Sequence, residues 1–226
     1  MRLMLFVLIF CSSMLYASIG TITTLEGKAT IKRGEESLIV LLGNEIEKKD
    51  IISTQENSKV KITLNDNTII SIGKESTLNI EEYVYDTTNP SDSKTELNFV
   101  KGAFHTITGQ IGKINPSKFK LKTKSASIGI RGTEIYGDET KIACTKGTIE
   151  VTSFGITHIV SAGNFVDTFI DKAPSTPKKL DNNTLNKIKN TLQSSNNNEL
   201  NAAALTEDKE NDNDETIQYN DIIWNN

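Results

Sequence analysis

From Ile19 to about Ile170, apolar and polar positions alternate over short stretches rich in Thr, Ile and Val. Lys59-Val60-Lys61-Ile62-Thr63-Leu64 shows the pattern best, because a period of two puts Val60, Ile62 and Leu64 on one face. Asn65-Asp66-Asn67 tolerates tight-turn dihedrals, and Thr68 to Ile72 reads as the returning strand. Gly73-Lys74-Glu75-Ser76 marks the next turn and Thr77 to Glu82 the next strand. Further strands are predicted within 97–108 and over 119–123, 127–130, 134–137, 141–145, 148–153, 156–160 and 165–169. No 11-residue window there carries a helical period. The pattern predicts an all-β fold, either a compact many-stranded sandwich or a short β-roll or solenoid-like domain. Polar residues 85–96, with Pro90, read as an exposed loop joining two halves. Val100-Lys101-Gly102-Ala103-Phe104 and Thr145-Lys146-Gly147-Thr148-Ile149 each set Lys-Gly between apolar or β-branched residues, as a tight turn or bulge requires.

The pattern changes near Asp171. Residues 172–179, with Pro174 and Pro177, read as a linker. Asp181 is placed to cap a short C-terminal helix presenting Leu185, Ile188 and Leu192 at i, i+3 and i+7. Its other residues are poor helix formers, so the helix is expected only if those three side chains pack on the β domain. Residues 194–226 are acidic and Asn-rich and read as a disordered tail. That tail ends in Tyr219, Ile222, Ile223 and Trp224, a frayed terminus or a short docking element.

The opposite end places the protein. Met1-Arg2, the apolar run Leu3 to Phe10 and the small residues around Tyr16-Ala17-Ser18 have the layout of a signal peptide over 1–17. Extended to Ile19, the same run also reads as an uncleaved anchor. Phe10 before Cys11 argues against lipid attachment. The expected location is the periplasm or cell surface, with no permanent membrane span once the signal is cut. Cys144 is then the only thiol, which excludes an intrachain disulfide, and its apolar strand suggests a buried small hydrophobe rather than a nucleophile. The β domain is bounded at 18–171, with linker and marginal helix over 172–193.

Charge and chemistry narrow the function. Twenty-five Lys and Arg against 29 Asp and Glu give a net charge of -4, which speaks against a nucleic-acid binder. His105 and His158 have no Cys or carboxylate at ligand spacing, so no metal is expected. Ser125-Ala126-Ser127-Ile128-Gly129 lacks the leading glycine of a nucleophile elbow, and Gly109-Gln110-Ile111-Gly112 lacks the βαβ context of a dinucleotide site. Neither cofactor nor catalysis is expected.

Two features remain as binding candidates. Lys118, Lys120, Lys122 and Lys124 alternate with Phe119, Leu121 and Thr123, so a strand would set four ammonium groups on one face. A solvated edge strand accounts for such a row. Compensation by acidic strands such as Glu81-Glu82, by the acidic tail, or by an anionic envelope polymer also does. The second candidate is Arg131-Gly132-Thr133. Gly129 and Gly132 imply a tight backbone there. Arg131 then either clamps an internal carboxylate or strand carbonyls, or meets a carboxylate or saccharide at the surface. Thr133 is expected to add a hydroxyl hydrogen bond.

Taken in order, several pieces resemble the FecR domain family. Leu42-Gly43-Asn44-Glu45-Ile46 with Asp50-Ile51-Ile52-Ser53-Thr54 resembles its opening, and Ile62 to Ile72 its following hairpin. Ala126 to Tyr136, ASIGIRGTEIY, resembles its most recognisable segment, and Gly147 to Val151 the strand after it. The resemblance covers roughly residues 20–168 and implies an exported, non-catalytic, all-β binding or scaffolding module. The family's best-known members add a cytoplasmic anti-sigma segment and a transmembrane helix. Only Met1 and Arg2 precede the apolar run here, so a stand-alone domain without the anti-sigma segment is expected. The expected partner is an envelope protein or anionic envelope polymer. A structural or adhesive role and indirect participation in envelope signalling are the alternatives, and the pattern fixes no oligomeric state.

Overall fold

The computed structural model describes residues 17–193. The expected signal segment up to Tyr16, and the acidic tail from Ser194 with its terminal Tyr219, Ile222, Ile223 and Trp224, lie outside the described residues. The first stretch forms β1 (Gly20–Glu26), β2 (Ala29–Arg33), β3 (Glu36–Ile39), β4 (Glu45–Ile46), β5 (Ile51–Thr54), β6 (Lys59–Leu64), β7 (Ile69–Ile72) and β8 (Thr77–Val84). After a loop come β9 (Lys94–Lys101), β10 (Phe104–Ile107), helix α1 (Gln110–Ile114), β11 (Phe119–Thr123), β12 (Ser127–Gly137) and β13 (Lys141–Ser153). The chain closes with β14 (Ile156–Ser161), β15 (Asn164–Asp167), β16 (Lys178–Lys179) and helix α2 (Asn182–Thr191).

The hairpin of β12 and β13 is the spine of a curled, many-stranded sheet. One edge of β12 is shared by two strands: its first half pairs with β11, and its second half with β10. From that fork one arm runs β11-β9-β8-β5-β2-β3 and the other β10-β7-β6-β1-β4. The far edge of β13 divides likewise, taking β14 beside Thr148–Ser153 and β15 beside Lys141–Cys144. The ladder is irregular between Arg131 and Ile135, midway along the spine. Gly132 and Gly147 sit there with φ of +57° and +78°, a region costly for any residue with a Cβ. A Cβ on Gly147 would lie 2.5 Å from the Gly132 carbonyl oxygen, so the strands approach more closely than side chains allow.

The two arms face each other and bury one core. Val60, Ile62, Ile70, Ile72 and Phe104 come from one arm, and Leu78, Ile80, Leu97, Phe99 and Leu121 from the other, all nearly inaccessible to solvent. Phe99 and Phe104 stack across the gap at 3.9 Å. Each such side chain stabilises the fold by about 1.5–3 kcal/mol relative to exposure. Helix α1 plugs the opening of the fork, with Ile111 fully buried. Asp66, also fully buried, anchors it: the carboxylate accepts hydrogen bonds from the Ile111 N–H (3.1 Å), the Thr68 hydroxyl (2.8 Å) and the Tyr83 hydroxyl (3.2 Å). Burial beside this carboxylate pushes the Tyr83 hydroxyl well above its ordinary pKa.

The architecture agrees with the all-β expectation, and several local readings need correction. The two halves around the 85–96 loop are interleaved in one sheet, since β8 pairs with β9 and β7 with β10. The loop is shorter than expected because β9 begins at Lys94. Segments 127–130 and 134–137 form one strand, as do 141–145 and 148–153, because the glycine bulge lets pairing continue through them. Helix α1, five residues long, occupies a stretch without helical period; the fork and Asp66 hold it. Lys178–Lys179 of the expected linker adds a short strand to β15. Helix α2 forms as expected, with the Asp181 carboxylate accepting from the Thr184 N–H at 2.6 Å. Ile188 and Leu192 are buried and Leu185 is half-buried, Ile188 packing with Ala143 and Phe165 on the spine.

Candidate basic groove at the fork of the sheet

A groove of about 710 Å³ opens where β11 and β12 diverge around α1. Cross-strand register builds it. Lys120 on β11 faces Gly129 on β12, which faces Glu150 on β13, while Arg131 faces Thr148. Gly129 carries no side chain, so the floor between Lys120 and Glu150 stays open. Lys113, Pro116 and Ser117, from α1 and the turn after it, supply the opposite wall. Ser127, Thr148 and Gly132 complete the lining with Phe119 and Ile130 beneath. Three cations, Lys113, Lys120 and Arg131, therefore share the groove with one carboxylate, Glu150.

Those cations are lightly engaged. The Arg131 side chain is 75% exposed, and its guanidinium lies 3.8 Å from Glu150. Such a pair is worth about 0–1 kcal/mol and exchanges readily for another carboxylate. Neither Lys113 nor Lys120 has an ion-pair partner among the described residues. This corrects the reading of Arg131 as an internal clamp. That role falls to Arg33, whose guanidinium reaches Asp50 at 2.7 Å and Glu47 at 2.5 Å. The bulge explains the exposure: two successive residues, Arg131 and Gly132, turn away from the core between buried Ile130 and Thr133.

Thr133 is locked inward. Its N–H donates to the Thr108 hydroxyl at 2.8 Å, and its carbonyl accepts from the Thr108 N–H at 3.0 Å. The expected hydroxyl bond is absent, since Thr133 Oγ1 is buried without a partner among the described residues.

The lysine row is not one surface. Lys118 ends the turn before β11, and Lys124 follows its last residue; both are exposed and outside the groove lining. Strand β11 lies between β9 and β12, so it is not an edge. Lys122 is compensated by acidic neighbours, bonding Glu81 at 3.0 Å and also Glu96. Its ammonium holds the Glu81 carboxyl below its usual range. Only Lys120 of the four joins Arg131 at the groove.

Sequence reasoning did not single out Glu150, because nothing local shows that β13 sets it across from Gly129 and Lys120. It also treated Asp66 as a turn former; the Asx-type turn was legible, its burial was not. Cys144 is buried, its thiol donating to the Lys146 carbonyl at 3.3 Å, and burial pushes its pKa up to about 11. It is no nucleophile at neutral pH. A cluster on the second half of the spine supports α2. His105 Nε2 lies 2.9 Å from Glu134, the His105 and Tyr136 rings stack at 4.0 Å, and the Lys189 ammonium sits 5.4 Å from the Tyr136 ring centre. Burial lowers the His105 pKa, and burial beside Glu134 pushes Tyr136 up to about 12.

Residues 50–150 match the FecR protein family, so this stretch, from the last residue before β5 to Glu150 in the groove, is a FecR domain. That family is regulatory rather than catalytic and generally envelope-associated. Two crystal structures of a "putative anti-sigma factor" from Parabacteroides distasonis ATCC 8503 are similar, at 12% and 13% identity with TM-scores of 0.48 and 0.49. Each alignment covers 60% of this chain and 62% of that protein, so the chain spans under two thirds of those relatives. No curated protein matches the chain. Among the described residues no helix is long and apolar enough to cross a membrane, and no cluster of His, Cys, Asp and Glu is arranged to hold a metal ion.

Proposed function

We propose that this chain is a non-catalytic, extracytoplasmic binding module that takes an anionic component of the cell envelope into the groove at the sheet fork. The observation that carries the reading is the groove's charge, with three cations against one carboxylate in a single concavity. Arg131 supplies a planar fork that suits a carboxylate, and exchanging Glu150 for a ligand group costs little. Lys113 and Lys120 act as point charges on either side. Ser117, Ser127 and Thr148 supply hydroxyls, and the glycine floor lets an extended chain lie close to the backbone. An acidic segment of an envelope protein or an acidic glycan meets these requirements. Membership of a regulatory family supports a place in envelope signalling, with binding as the input.

One observation favours the structural or adhesive alternative. Terminal strand β3 and the turn after it expose Ile39, Leu41 and Leu42 by 61–77%. To decide, the full chain is titrated with fluorescent poly-L-glutamate and polygalacturonate at 20 mM salt, alongside K120E and R131E. Saturable binding that both substitutions reduce at least tenfold, and that weakens steeply with salt, is the expected result. Equal binding by all three proteins, or none, refutes the groove as the site.

A further inference from the structure

One run of the sheet, β3-β2-β5-β8-β9-β11-β12-β13-β14, ends in two open edges. Among the described residues β3 pairs only with β2, and β14 only with β13, so each presents a free row of backbone N–H and C=O groups. Proteins blunt such edges with charges, with proline or by keeping the strand very short. The terminal strands of the other run, β4 and β16, have two residues each, whereas β3 and β14 have four and six. No Lys, Arg, Asp, Glu or Pro lies between Glu36 and Glu45, or between Glu150 and Asp167. Ile39 on β3 is 77% exposed and Ile159 on β14 65%, with Leu41, Leu42, Phe154 and Ile156 exposed beside them. We propose that the two edges are halves of one self-interface, in which β3 of each copy pairs antiparallel with β14 of the next to build a head-to-tail chain. This stands whatever the groove binds.

Strand direction and sidedness permit it. Every junction from β3 to β14 is antiparallel except that of β9 with β11. The number of reversals is therefore odd, and β14 runs opposite to β3. A second copy placed beside β14 with its core face and outer face matched then brings in β3 antiparallel, the pairing already used throughout the sheet. The side chains agree with that placement. Ile39 is in register with Thr30 and Ile159 with Glu150, both on the outer face, whereas Leu38 and Val160 are in register with buried Ile31 and Ile149 on the core face. Setting Ile39 opposite Ile159 puts Leu38 beside Val160, so both faces of the joint are apolar. Because Glu150 lies in the groove, the groove of each copy opens on the same continuous outer face.

Charge complementarity selects unlike edges over like ones. The same register brings Glu36 opposite Ala162, at the C-terminal end of β14. There the Ala162 N–H donates to the Gly147 carbonyl at 2.9 Å, next to exposed Lys146, and the Gly163 carbonyl accepts from the Leu180 N–H at 2.8 Å, next to exposed Lys179. Exposed Glu35 and Glu36 of one copy thus arrive between Lys146 and Lys179 of the other. The opposite end joins Leu41 and Leu42 to Ile156 and Phe154. A symmetric pair of two β3 edges would instead set the glutamates against Leu41 and Leu42, and a pair of two β14 edges would set the lysines against Phe154. An interface between unlike edges leaves one of each free at the ends, so growth continues past the dimer.

The test compares the full chain with Ile39→Lys, which places a charge on the β3 edge, and Ile159→Lys, which does so on β14. Sedimentation velocity is recorded over a hundredfold range of concentration, with far-UV circular dichroism as the check on folding. Wild type should form species larger than a dimer that grow with concentration. Each variant alone should associate at least tenfold more weakly. A one-to-one mixture of the two variants should form a dimer and stop there, because the intact β14 of Ile39→Lys meets the intact β3 of Ile159→Lys and both remaining edges are blocked. That dimer also shows that each variant is folded, so misfolding cannot imitate the result. Wild type that stays monomeric, or that stops at a dimer, overturns the inference. So does a variant that assembles like wild type, or a mixture that stays monomeric. None of these outcomes bears on polyanion binding at the groove, which is measured separately.

Discussion

The two glycines of the spine bulge give the sharpest test of why the groove exists. Gly132 and Gly147 both have left-handed dihedrals, at φ of +57° and +78°, so alanine at either is strained by about 1–2 kcal/mol. Their surroundings differ. A Cβ on Gly132 would meet no heavy atom within 4 Å. A Cβ on Gly147 would lie 2.5 Å from the Gly132 carbonyl oxygen, 2.9 Å from Thr133 Cγ2 and 3.0 Å from the Arg131 carbonyl oxygen. Backbone atoms cannot rotate away, so the hairpin must open, and overpacking of this kind adds about 1–3 kcal/mol. G132A should therefore cost about 1–2 kcal/mol and G147A about 2–5 kcal/mol. For a body of this size, each kcal/mol lowers Tm by about 2–4 °C. Urea unfolding followed by far-UV circular dichroism measures both. G147A should also weaken polyanion binding, because opening the bulge displaces Arg131, whereas G132A should bind nearly normally once folded. If the two variants lose equal stability, close strand approach is not the reason for Gly147 and the account of the bulge fails.

Three further outcomes are expected. Ile188→Ala removes the buried contact of α2 with Ala143 and Phe165, costing about 2–5 kcal/mol locally; limited proteolysis should then cut within 182–191 while wild type resists there. Asp66→Ala leaves the Ile111 N–H, the Thr68 hydroxyl and the Tyr83 hydroxyl without their acceptor, a loss of at least about 3 kcal/mol in chemical denaturation; unchanged stability would show that α1 is held by packing alone. Burial lowers the His105 pKa, so the unfolded chain takes up its proton first as pH falls. The stability tied to neutral His105 is complete above about pH 6.5 and is lost as pH drops through the lower folded value. Tm measured from pH 7.5 to 5 should fall less in His105→Gln than in wild type.

Much of this protein is written in its local pattern. Period-two alternation located β6 and β11 to the residue, because burial of every second side chain is a property of one strand and its two faces. Asp181 and the Leu185, Ile188, Leu192 spacing gave α2 and its docking face for the same reason. Arg131-Gly132-Thr133 was legible as a tight backbone because only glycine enters left-handed φ cheaply. The tertiary structure decided what meets what. Alternation cannot say that β12 is shared by two arms, that β11 is interior, or that Lys122 faces Glu81 and Glu96 while Lys120 faces the empty floor of Gly129. Those pairings join residues tens of positions apart, and they are set by two arms closing over one core. The groove is a by-product of that closure: it lies where the arms part, and its charge depends on which lysines the neighbouring strands leave unpaired.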